Sequence, residues 1–188
     1  MFYRFAKALL SILLWPRYRI RVVNPEREPK SGSVIVAANH HSAWDPIFVG
    51  LALRRQLHFM AKVELFRFPV LRHIFYWLGA FPVNRGKADS RAIRSALEIL
   101  KTGQALAMFP EGTRVKEGEA AAAQNGIALL ASRTGAPVVP VRVVRTGKQI
   151  EVRLGTPISF ETSDEGAKPS KNDLSEFSQF VMEKVRNL

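Results

Sequence analysis

Short apolar runs alternate with helix-like segments along this chain, and polar turns separate them. Seven runs predict strands because they are rich in β-branched residues or alternate in polarity; they cover residues 19–23, 33–38, 57–61, 80–83, 105–109, 138–144 and 150–154. Apolar periodicity and capping residues predict helices in the first 15 residues, after Asp45, and over residues 70–78, 89–102, 125–134 and 173–187. Asp45 is the expected cap of the second helix, with Pro46 as its first residue, and Asp89 is the expected cap of the fourth. This alternation predicts an α/β fold in which helices flank a central mixed, largely parallel sheet, with an apolar helix at the N-terminus.

The first 16 residues combine an apolar run with two basic side chains. Residues 8–15 contain a single serine, and a proline ends the run. About 20 apolar residues are needed to cross a bilayer, so this segment is too short to span one, and it lacks the cleavage pattern of a secretory signal. Arg4 and Lys7, one turn apart, favour a helix in the membrane interface; the alternative is a helix packed on its own domain. We therefore expect residues 1–16 to be a membrane-interface helix and residues 17–188 to form one domain.

The charge of the chain favours anionic partners. The 188 residues include 28 basic and 16 acidic ones, which gives a net charge of +12. Nucleic acid, anionic lipid and phosphorylated substrates all fit such an excess, and a solvated basic surface is the simpler alternative. The first 21 residues contain basic side chains and no acid, which points to the lipid. The absence of cysteine excludes a thiolate nucleophile and a thiolate metal site.

A histidine and an aspartate five residues apart follow the second predicted strand. Imidazole is the usual general base near neutral pH, and it works best when a carboxylate holds its other nitrogen. On a regular helix this spacing would place His40 and Asp45 about 140° apart, so they meet only if the chain turns between them. A turn is expected because a strand ends near Ala38 and a helix begins near Asp45. The pair is a candidate base with its orienting carboxylate, although this spacing also arises by chance.

A second candidate site is the turn after the strand at residues 105–109. Ligands tend to bind at the carboxyl ends of strands in α/β folds. Arg114 can hold a phosphate through its planar fork, and Glu111 can accept a hydrogen bond from a substrate hydroxyl. The alternative is a Glu–Arg pair at the surface. Residues 79–85 show the same order of strand, turn and arginine.

Four sequence blocks occur in an order that is specific when taken together. They are Asn39-His40-His41-Ser42-Ala43-Trp44-Asp45, residues 79–85, Phe109-Pro110-Glu111-Gly112-Thr113-Arg114 and Val138-Val139-Pro140-Val141. They match the forms N-H-x-S-x-x-D, G-x-x-x-x-x-R, F-P-E-G-T-R and a V-P-V-type strand. With these blocks the chain resembles the glycerolipid acyltransferases, a family that includes 1-acyl-glycerol-3-phosphate acyltransferase. The resemblance covers roughly residues 33–145.

The resemblance implies an O-acyltransferase of phospholipid biosynthesis. The reaction would move a fatty acyl group from an acyl thioester to the free hydroxyl of 1-acyl-glycerol 3-phosphate and make phosphatidic acid. His40 would take the proton of that hydroxyl, and Asp45 would orient His40. The residues implied to hold the glycerol phosphate are Arg85, Glu111, Gly112, Thr113 and Arg114. Lys62, which follows a predicted strand, is a further candidate phosphate ligand.

The implied partners are lipids and a thioester. The resemblance implies no cofactor and no metal: acyl-CoA or acyl carrier protein would enter as the acyl-donor substrate. A lysophospholipid would be the acceptor, and an anionic membrane surface at the cytoplasmic face would be the place of action. We expect no nucleic-acid partner, because the arginines lie on separate turns and no zinc pattern or RNA-type aromatic motif occurs.

One departure from the family pattern leaves the acceptor and donor preference open. Many relatives carry Phe-Lys-x-Gly after the Glu-Gly-Thr-Arg turn, whereas this chain has Ala123-Gln124-Asn125-Gly126, with Gln124 in place of the lysine. Glycerol 3-phosphate or another lysophospholipid is the alternative acceptor. Two alternatives of other classes are a basic nucleic-acid-binding module and a catalytically silent membrane-binding protein; intact His40 and Asp45 argue against the silent protein.

Overall fold

The computed structural model describes residues 2–84, 89–116, 123–161 and 168–188. Its strands are β1 (Arg19–Val23), β2 (Val34–Ala38), β3 (Leu57–Lys62), β4 (Ala80–Val83), β5 (Ala105–Met108), β6 (Val138–Thr146) and β7 (Gln149–Leu154). Its α-helices are α1 (Phe2–Leu14), α2 (Asp45–Ala52), α3 (Pro69–Trp77), α4 (Ser90–Lys101), α5 (Gly126–Thr134) and α6 (Lys171–Arg186). The predicted elements therefore recur in order, with ends shifted by one or two residues.

The strands form a seven-stranded sheet in the order β1-β7-β6-β2-β5-β3-β4. β6 and β7 form an antiparallel hairpin, and the other described strand pairs are parallel. This confirms the predicted mixed, largely parallel sheet. Because β2, β3, β4 and β5 run in the same direction, their carboxyl ends meet at one edge of the sheet, where the segments after these strands can face a common ligand.

β2 is buried along its whole length because helices cover both faces of the sheet. Its side chains alternate between two cores. Val36 packs in the core that contains Phe48 of α2, and Ile35 packs in the core that contains Leu100 of α4 together with side chains of α5 and α6. Burying a side chain such as Phe48 contributes roughly 1.5–3 kcal/mol. A near-continuous apolar run is what a central parallel strand requires.

The helix caps confirm one prediction and correct the start of two helices. Asp89 caps α4 by accepting hydrogen bonds from the N–H groups of Arg91 and Ala92. Backbone hydrogen bonds from Asn84 and Ala92 lower the pKa of Asp89 to about 2. The last helix begins before residue 173, because a capping box in which Ser170 and Asp173 bond to each other's N–H groups fixes its first turn.

α2 begins one residue earlier than the sequence predicts. Asp45 was expected as the cap and Pro46 as the first helical residue, but Asp45 is itself the first residue of α2. Its carboxylate turns back toward the preceding loop and accepts hydrogen bonds from the N–H groups of His41 and Ser42. The loop and the helix are thereby held together by one side chain.

α1 packs on α2 through its polar side chains. The Tyr3 hydroxyl donates to the carbonyl oxygen of Gly50 at 3.4 Å, and the Lys7 ammonium donates to the carbonyl oxygen of Leu53. Burial lowers the pKa of Lys7. The large apolar side chains on the outer side of α1 stay exposed, so one side of α1 packs on the domain and the other is uncovered. Its place in a membrane interface stays a prediction. Within the described ranges, no helix has the length and apolar character needed to span a bilayer.

Candidate active site

The loop of residues 39–45 begins with Asn39, whose side chain forms hydrogen bonds with β6 at the point where β2 ends. Where β2 ends, the Asn39 side chain donates to the carbonyl oxygen of Val143 at 3.0 Å and accepts from its N–H at 2.7 Å. Because Asn39 is buried, these two bonds provide hydrogen-bond partners for its side-chain amide and for the N–H and carbonyl groups of Val143 in β6. They fix the point at which the chain leaves the sheet, one residue before His40.

The turn brings His40 and Asp45 together as predicted. Nδ1 of His40 lies 3.3 Å from Oδ2 of Asp45, and both side chains are buried. The same oxygen accepts from the N–H groups of His41 at 2.7 Å and Ser42 at 2.6 Å, so the carboxylate is fixed by the loop that it helps to fold. Because an ionised carboxylate only accepts, Nδ1 donates to it and Nε2 is left with the lone pair. Nε2 is then the atom that can take a proton.

The segment after β5 holds His40 from the other side. The Phe109 ring stacks on the imidazole with the ring centroids 4.3 Å apart and an angle of 25° between the planes. Glu111 Oε2 accepts from the His40 N–H at 2.8 Å, and the Val115 N–H donates to the His40 carbonyl oxygen at 2.9 Å. The backbone and ring of His40 are therefore both constrained by residues about 70 positions away in the sequence.

Glu111 is buried, which bears on what it can do. Burial raises the pKa of its carboxyl group, and the hydrogen bond from the His40 N–H opposes that rise. One of its oxygens is already engaged with the His40 backbone, so the geometry gives Glu111 a positioning contact. Its predicted contact with substrate stays a prediction.

The turn that carries Thr113 and Arg114 requires glycine at its centre. Gly112 has φ +70° and donates its N–H to the Phe109 carbonyl oxygen at 2.9 Å. Gln124 lies against its α-carbon, where a Cβ would collide with the amide of the glutamine. The Gln124 N–H also donates to the Pro110 carbonyl oxygen at 2.8 Å. Gln124 therefore packs directly on the turn that presents the exposed side chains of Thr113 and Arg114.

A largely apolar cavity of about 540 Å³ adjoins His40. Its walls come from α1, α2, β3 and the segment around α3, and Phe109 closes part of it. The basic side chains that face it are Lys7, His40, Lys62 and Arg114. Lys62 lies at the end of β3 and pairs with Glu64 at 3.3 Å. The cavity thus combines an apolar body with a proton acceptor and cations, which suits a ligand with a hydrocarbon chain and a negative charge.

The structure brings most of the predicted site residues to one edge of the sheet. His40 follows β2, Lys62 ends β3, and the Glu111–Arg114 turn follows β5. Arg85 follows β4 in the sequence but lies outside the described residues. The described ranges contain no group of three or more histidine, aspartate or glutamate side chains arranged to hold a metal ion. The prediction that no cofactor takes part stays a prediction.

Three parts of this site have no role predicted from the sequence. Asn39 was quoted within a motif, but its partner Val143 is 104 residues away. Phe109 was read as the end of a strand, although its ring covers the imidazole. Residues 1–16 are predicted only as a membrane-interface helix, yet Tyr3 and Leu10 of α1 line the cavity. A signal existed for Asn39 and Phe109, since both stand inside the matched blocks beside the residues that were assigned.

Comparisons with known proteins agree with this geometry. The family described as Acyltransferase matches residues 19–144. A chloroplastic 1-acyl-sn-glycerol-3-phosphate acyltransferase of Arabidopsis thaliana is 31% identical over 145 residues, which are 76% of this chain and 41% of the relative. The protein of that name from Bacillus subtilis is 28% identical over 195 residues, with 99% of this chain and 96% of the relative covered.

The chain spans about two fifths of the length of the chloroplast relatives, at 41% and 42%, and nearly all of the Bacillus relative. The crystal structure of the 1-acyl-sn-glycerophosphate (LPA) acyltransferase from Thermotoga maritima superimposes with a TM-score of 0.75 at 25% identity, over 98% of this chain and 77% of that one. The domain match covers most of the sheet, the loop with His40 and Asp45, and the Glu111–Arg114 turn. The protein described here belongs to the acyltransferase family.

Proposed function

We propose that this protein transfers a fatty acyl group from an acyl thioester to the free hydroxyl of 1-acyl-glycerol 3-phosphate and so makes phosphatidic acid. One observation carries the proposal: a buried His40–Asp45 pair lies in the wall of an apolar cavity that also exposes Lys62 and Arg114. A proton acceptor, a space for hydrocarbon and two cations are the three things that this substrate requires. The names of the similar proteins from Arabidopsis and Bacillus agree with it.

The reaction would run by general base catalysis. Nε2 of His40 removes the proton from the acceptor hydroxyl while the oxygen of that hydroxyl attacks the carbonyl carbon of the thioester. The tetrahedral intermediate then collapses, the carbon–sulfur bond breaks, and the imidazolium returns the proton to the leaving thiolate. Asp45 stabilises the imidazolium between the two steps and holds the ring so that Nε2 faces the acceptor. The products are the ester and the free thiol, and His40 regains its lone pair.

The acceptor phosphate would be held by the cations of the sheet edge. Arg114 offers a planar fork on an exposed turn, and Lys62 offers an ammonium group at the end of the neighbouring strand. Thr113 and the Gly112 backbone belong to the same turn, and Arg85 is proposed as a further ligand from its place in the sequence. Glu111 fixes the His40 backbone through Oε2, and its contact with the substrate is proposed from its place in the matched block.

The cavity is proposed to hold the acyl chains of the substrates. Its wall is largely hydrocarbon, including Leu10, Ile47 and Phe59. An acceptor that already carries one fatty chain gains from burying it there, whereas glycerol 3-phosphate has no chain to bury. The apolar wall thus favours the lysophospholipid over glycerol 3-phosphate as acceptor. The donor is proposed to be acyl-CoA or acyl carrier protein, and the place of action the cytoplasmic face of a membrane.

An acceptor panel tests the proposal. Purified protein is incubated with a labelled acyl thioester and, in separate reactions, 1-acyl-glycerol 3-phosphate, glycerol 3-phosphate and 1-acyl-glycerophosphocholine. We expect labelled phosphatidic acid as the main product, with the choline lipid acylated poorly because its phosphate is partly neutralised. Preferred acylation of glycerol 3-phosphate would reassign the acceptor. Absence of transfer to every acceptor, with both coenzyme A and carrier-protein thioesters supplied, would refute the proposed activity.

A further inference from the structure

Two helices far apart in the sequence leave large apolar side chains in contact with solvent. On and just after α1 these are Phe2, Phe5, Leu9, Ile12, Leu13 and Trp15. Between residues 65 and 77 they are Leu65, Phe68, Val70, Leu71, Tyr76 and Trp77. Several are more than 60% exposed, for example Ile12 at 71% and Val70 at 72%. Contiguous apolar surface of this kind marks an interaction site rather than ordinary surface.

The two exposed regions are continuous. The Phe2 ring meets the Trp77 ring edge to face, with centroids 4.9 Å apart, so the first residue of α1 contacts the last residue of α3. The inward sides of the same two regions line the cavity that adjoins His40, through Tyr3 and Leu10 on one side and Leu65 and Phe75 on the other. We call the outward side of α1 together with residues 65–77 the lipid-docking face. Its two halves enclose the cavity wall on which the proposed acceptor would lie.

The charges within the lipid-docking face are basic. Arg4, Arg67 and Arg72 are exposed there, and residues 2–14 and 68–77 contain no aspartate or glutamate. An apolar surface bordered by cations complements an anionic lipid bilayer, because the apolar side chains enter the acyl boundary while the cations meet the headgroups.

We propose that this protein docks on anionic bilayers through both α1 and residues 65–77, and that the acceptor lipid enters the cavity sideways from the membrane between them. The sequence pattern assigned this contact to the first 16 residues alone. The proposal rests on the proposed function, because a lipid acceptor is what makes a cavity between two membrane-facing helices useful. It adds the middle segment, Leu65–Trp77, as an independent half of the contact.

Tryptophan fluorescence tests the proposal residue by residue. The chain has three tryptophans, so the double variant Trp15→Phe/Trp44→Phe leaves Trp77 as reporter on α3. With vesicles of phosphatidylglycerol and phosphatidylcholine we expect its emission to shift to the blue and to be quenched when the lipids carry bromine on their acyl chains. The control removes all three tryptophans and adds Phe180→Trp on α6, which packs on the other face of the sheet. Its emission should not respond.

Vesicle binding tests the contribution of the middle segment to affinity. The triple variant Phe68→Ser/Val70→Ser/Leu71→Ser changes exposed side chains that do not line the cavity. We expect its affinity for anionic vesicles to fall at least about tenfold, because three apolar side chains lose their burial in the interface. Phe180→Ser is the matched control: it removes an exposed phenylalanine elsewhere, and its vesicle binding should equal that of the wild type.

The outcomes separate this inference from the proposed activity. Wild-type vesicle affinity in the triple variant, or a Trp77 reporter that does not respond, would overturn the role of residues 65–77 even if acyl transfer is intact. Conversely, vesicle binding that depends on these residues in a protein without acyl transfer would support the surface and refute the activity. If the triple variant does not fold, as judged by circular dichroism, the Trp77 measurement decides alone.

Discussion

The loop of residues 39–45 and the proposed lipid-docking face border the same cavity, and their side chains are held in opposite ways. In the loop every key group is buried and tied: Asn39 to Val143, His40 to Asp45, and the His40 backbone to Glu111. In the lipid-docking face large apolar side chains are exposed to solvent. A proton acceptor must be held within tenths of an ångström, so its supports are internal to the domain. A surface that docks on lipid, as proposed for the lipid-docking face, needs only an apolar composition and a suitable shape.

This contrast implies that damage to the two regions should show in different measurements. Changes in the loop should lower turnover with every acceptor, whether it is dissolved or in a bilayer. Changes in the lipid-docking face should lower turnover only for an acceptor that is presented in a bilayer. The ratio of the two rates is therefore more informative than either rate alone.

The largest effect is expected for His40→Ala. Loss of a general base typically costs about 100- to 10,000-fold in rate, and here it should do so equally for dissolved and vesicle-borne acceptors. The measurement is the rate of acyl transfer at saturating donor, with circular dichroism as the check on folding. A loss confined to the vesicle-borne acceptor would contradict the assignment of His40 to the chemistry.

Asn39→Ala should lower the free energy of unfolding. This measurement tests the structural role of Asn39 in the loop separately from the rate of acyl transfer. It leaves the N–H and carbonyl of Val143 without the side chain that now satisfies them, and unsatisfied buried polar groups cost roughly 1–3 kcal/mol each. We expect a loss of roughly 2–5 kcal/mol in urea unfolding. Asn172→Ala, which breaks a hydrogen bond between exposed side chains, is the control and should be nearly neutral. Equal losses in the two variants would show that Asn39 does not anchor the loop.

Arg114→Ala should weaken the acceptor more than the donor. Hydrogen bonds to charged groups are worth about 1.5–3 kcal/mol, which corresponds to a rise of roughly tenfold or more in the Michaelis constant for 1-acyl-glycerol 3-phosphate. Arg114→Lys should recover part of the affinity, because charge returns without the planar fork. The two Michaelis constants are measured by varying one substrate at a time. An unchanged acceptor constant with a raised donor constant would move Arg114 to the donor side.

The smallest effect is expected for Glu111→Gln, and the size of its effect on stability depends on pH. Glutamine can still accept from the His40 N–H, so turnover should fall less than in Glu111→Ala. Because burial raises the pKa of Glu111 in the folded state, the ionised carboxylate disfavours folding, and wild-type stability from this group is lost as pH rises through the folded pKa.

Thermal unfolding at a series of pH values checks this. Glu111→Gln should melt at or slightly above the wild type at pH 7, by no more than about 2–4 °C, which is the size of a 1 kcal/mol change in a domain of this length. The difference should vanish below the ordinary glutamate pKa of 4.5, where the wild-type side chain is neutral in both states. A variant that is less stable than the wild type at pH 7 would mean that the charge itself holds the loop.

Local patterns in the sequence predicted the elements and the contact between His40 and Asp45, whose catalytic roles stay predictions. Strand and helix positions follow from runs and periodicity within a few residues, and His40 and Asp45 share one short segment whose turn was foreseeable. The four matched blocks supplied the rest of the site hypothesis, and the family assignment is confirmed. Arg85 stays a prediction because it lies outside the described residues, and the boundary between residues 1–16 and the rest stays one as well.

Contacts between distant segments were beyond the sequence argument. The Asn39–Val143 bonds join residues 104 positions apart, and the Glu111–His40 bond joins residues 71 apart. Both depend on strand register in the assembled sheet, which no single segment encodes. The exposure of α3 was missed for the related reason that an apolar helix pattern does not say which side the domain covers. The covered side is decided by the residues that pack on the helix, and the Trp77 ring contacts Phe2 rather than residues of a buried core.

The most direct test of the central claim is a double-mutant cycle on His40 and Asp45. Acyl transfer from a labelled thioester to 1-acyl-glycerol 3-phosphate is measured for the wild type, His40→Ala, Asp45→Ala and the double variant. If Asp45 acts through His40, the double variant should be no slower than His40→Ala alone, because groups that work as a unit lose their effect together. Losses that multiply in the double variant, or a wild type that forms no phosphatidic acid, would contradict the account.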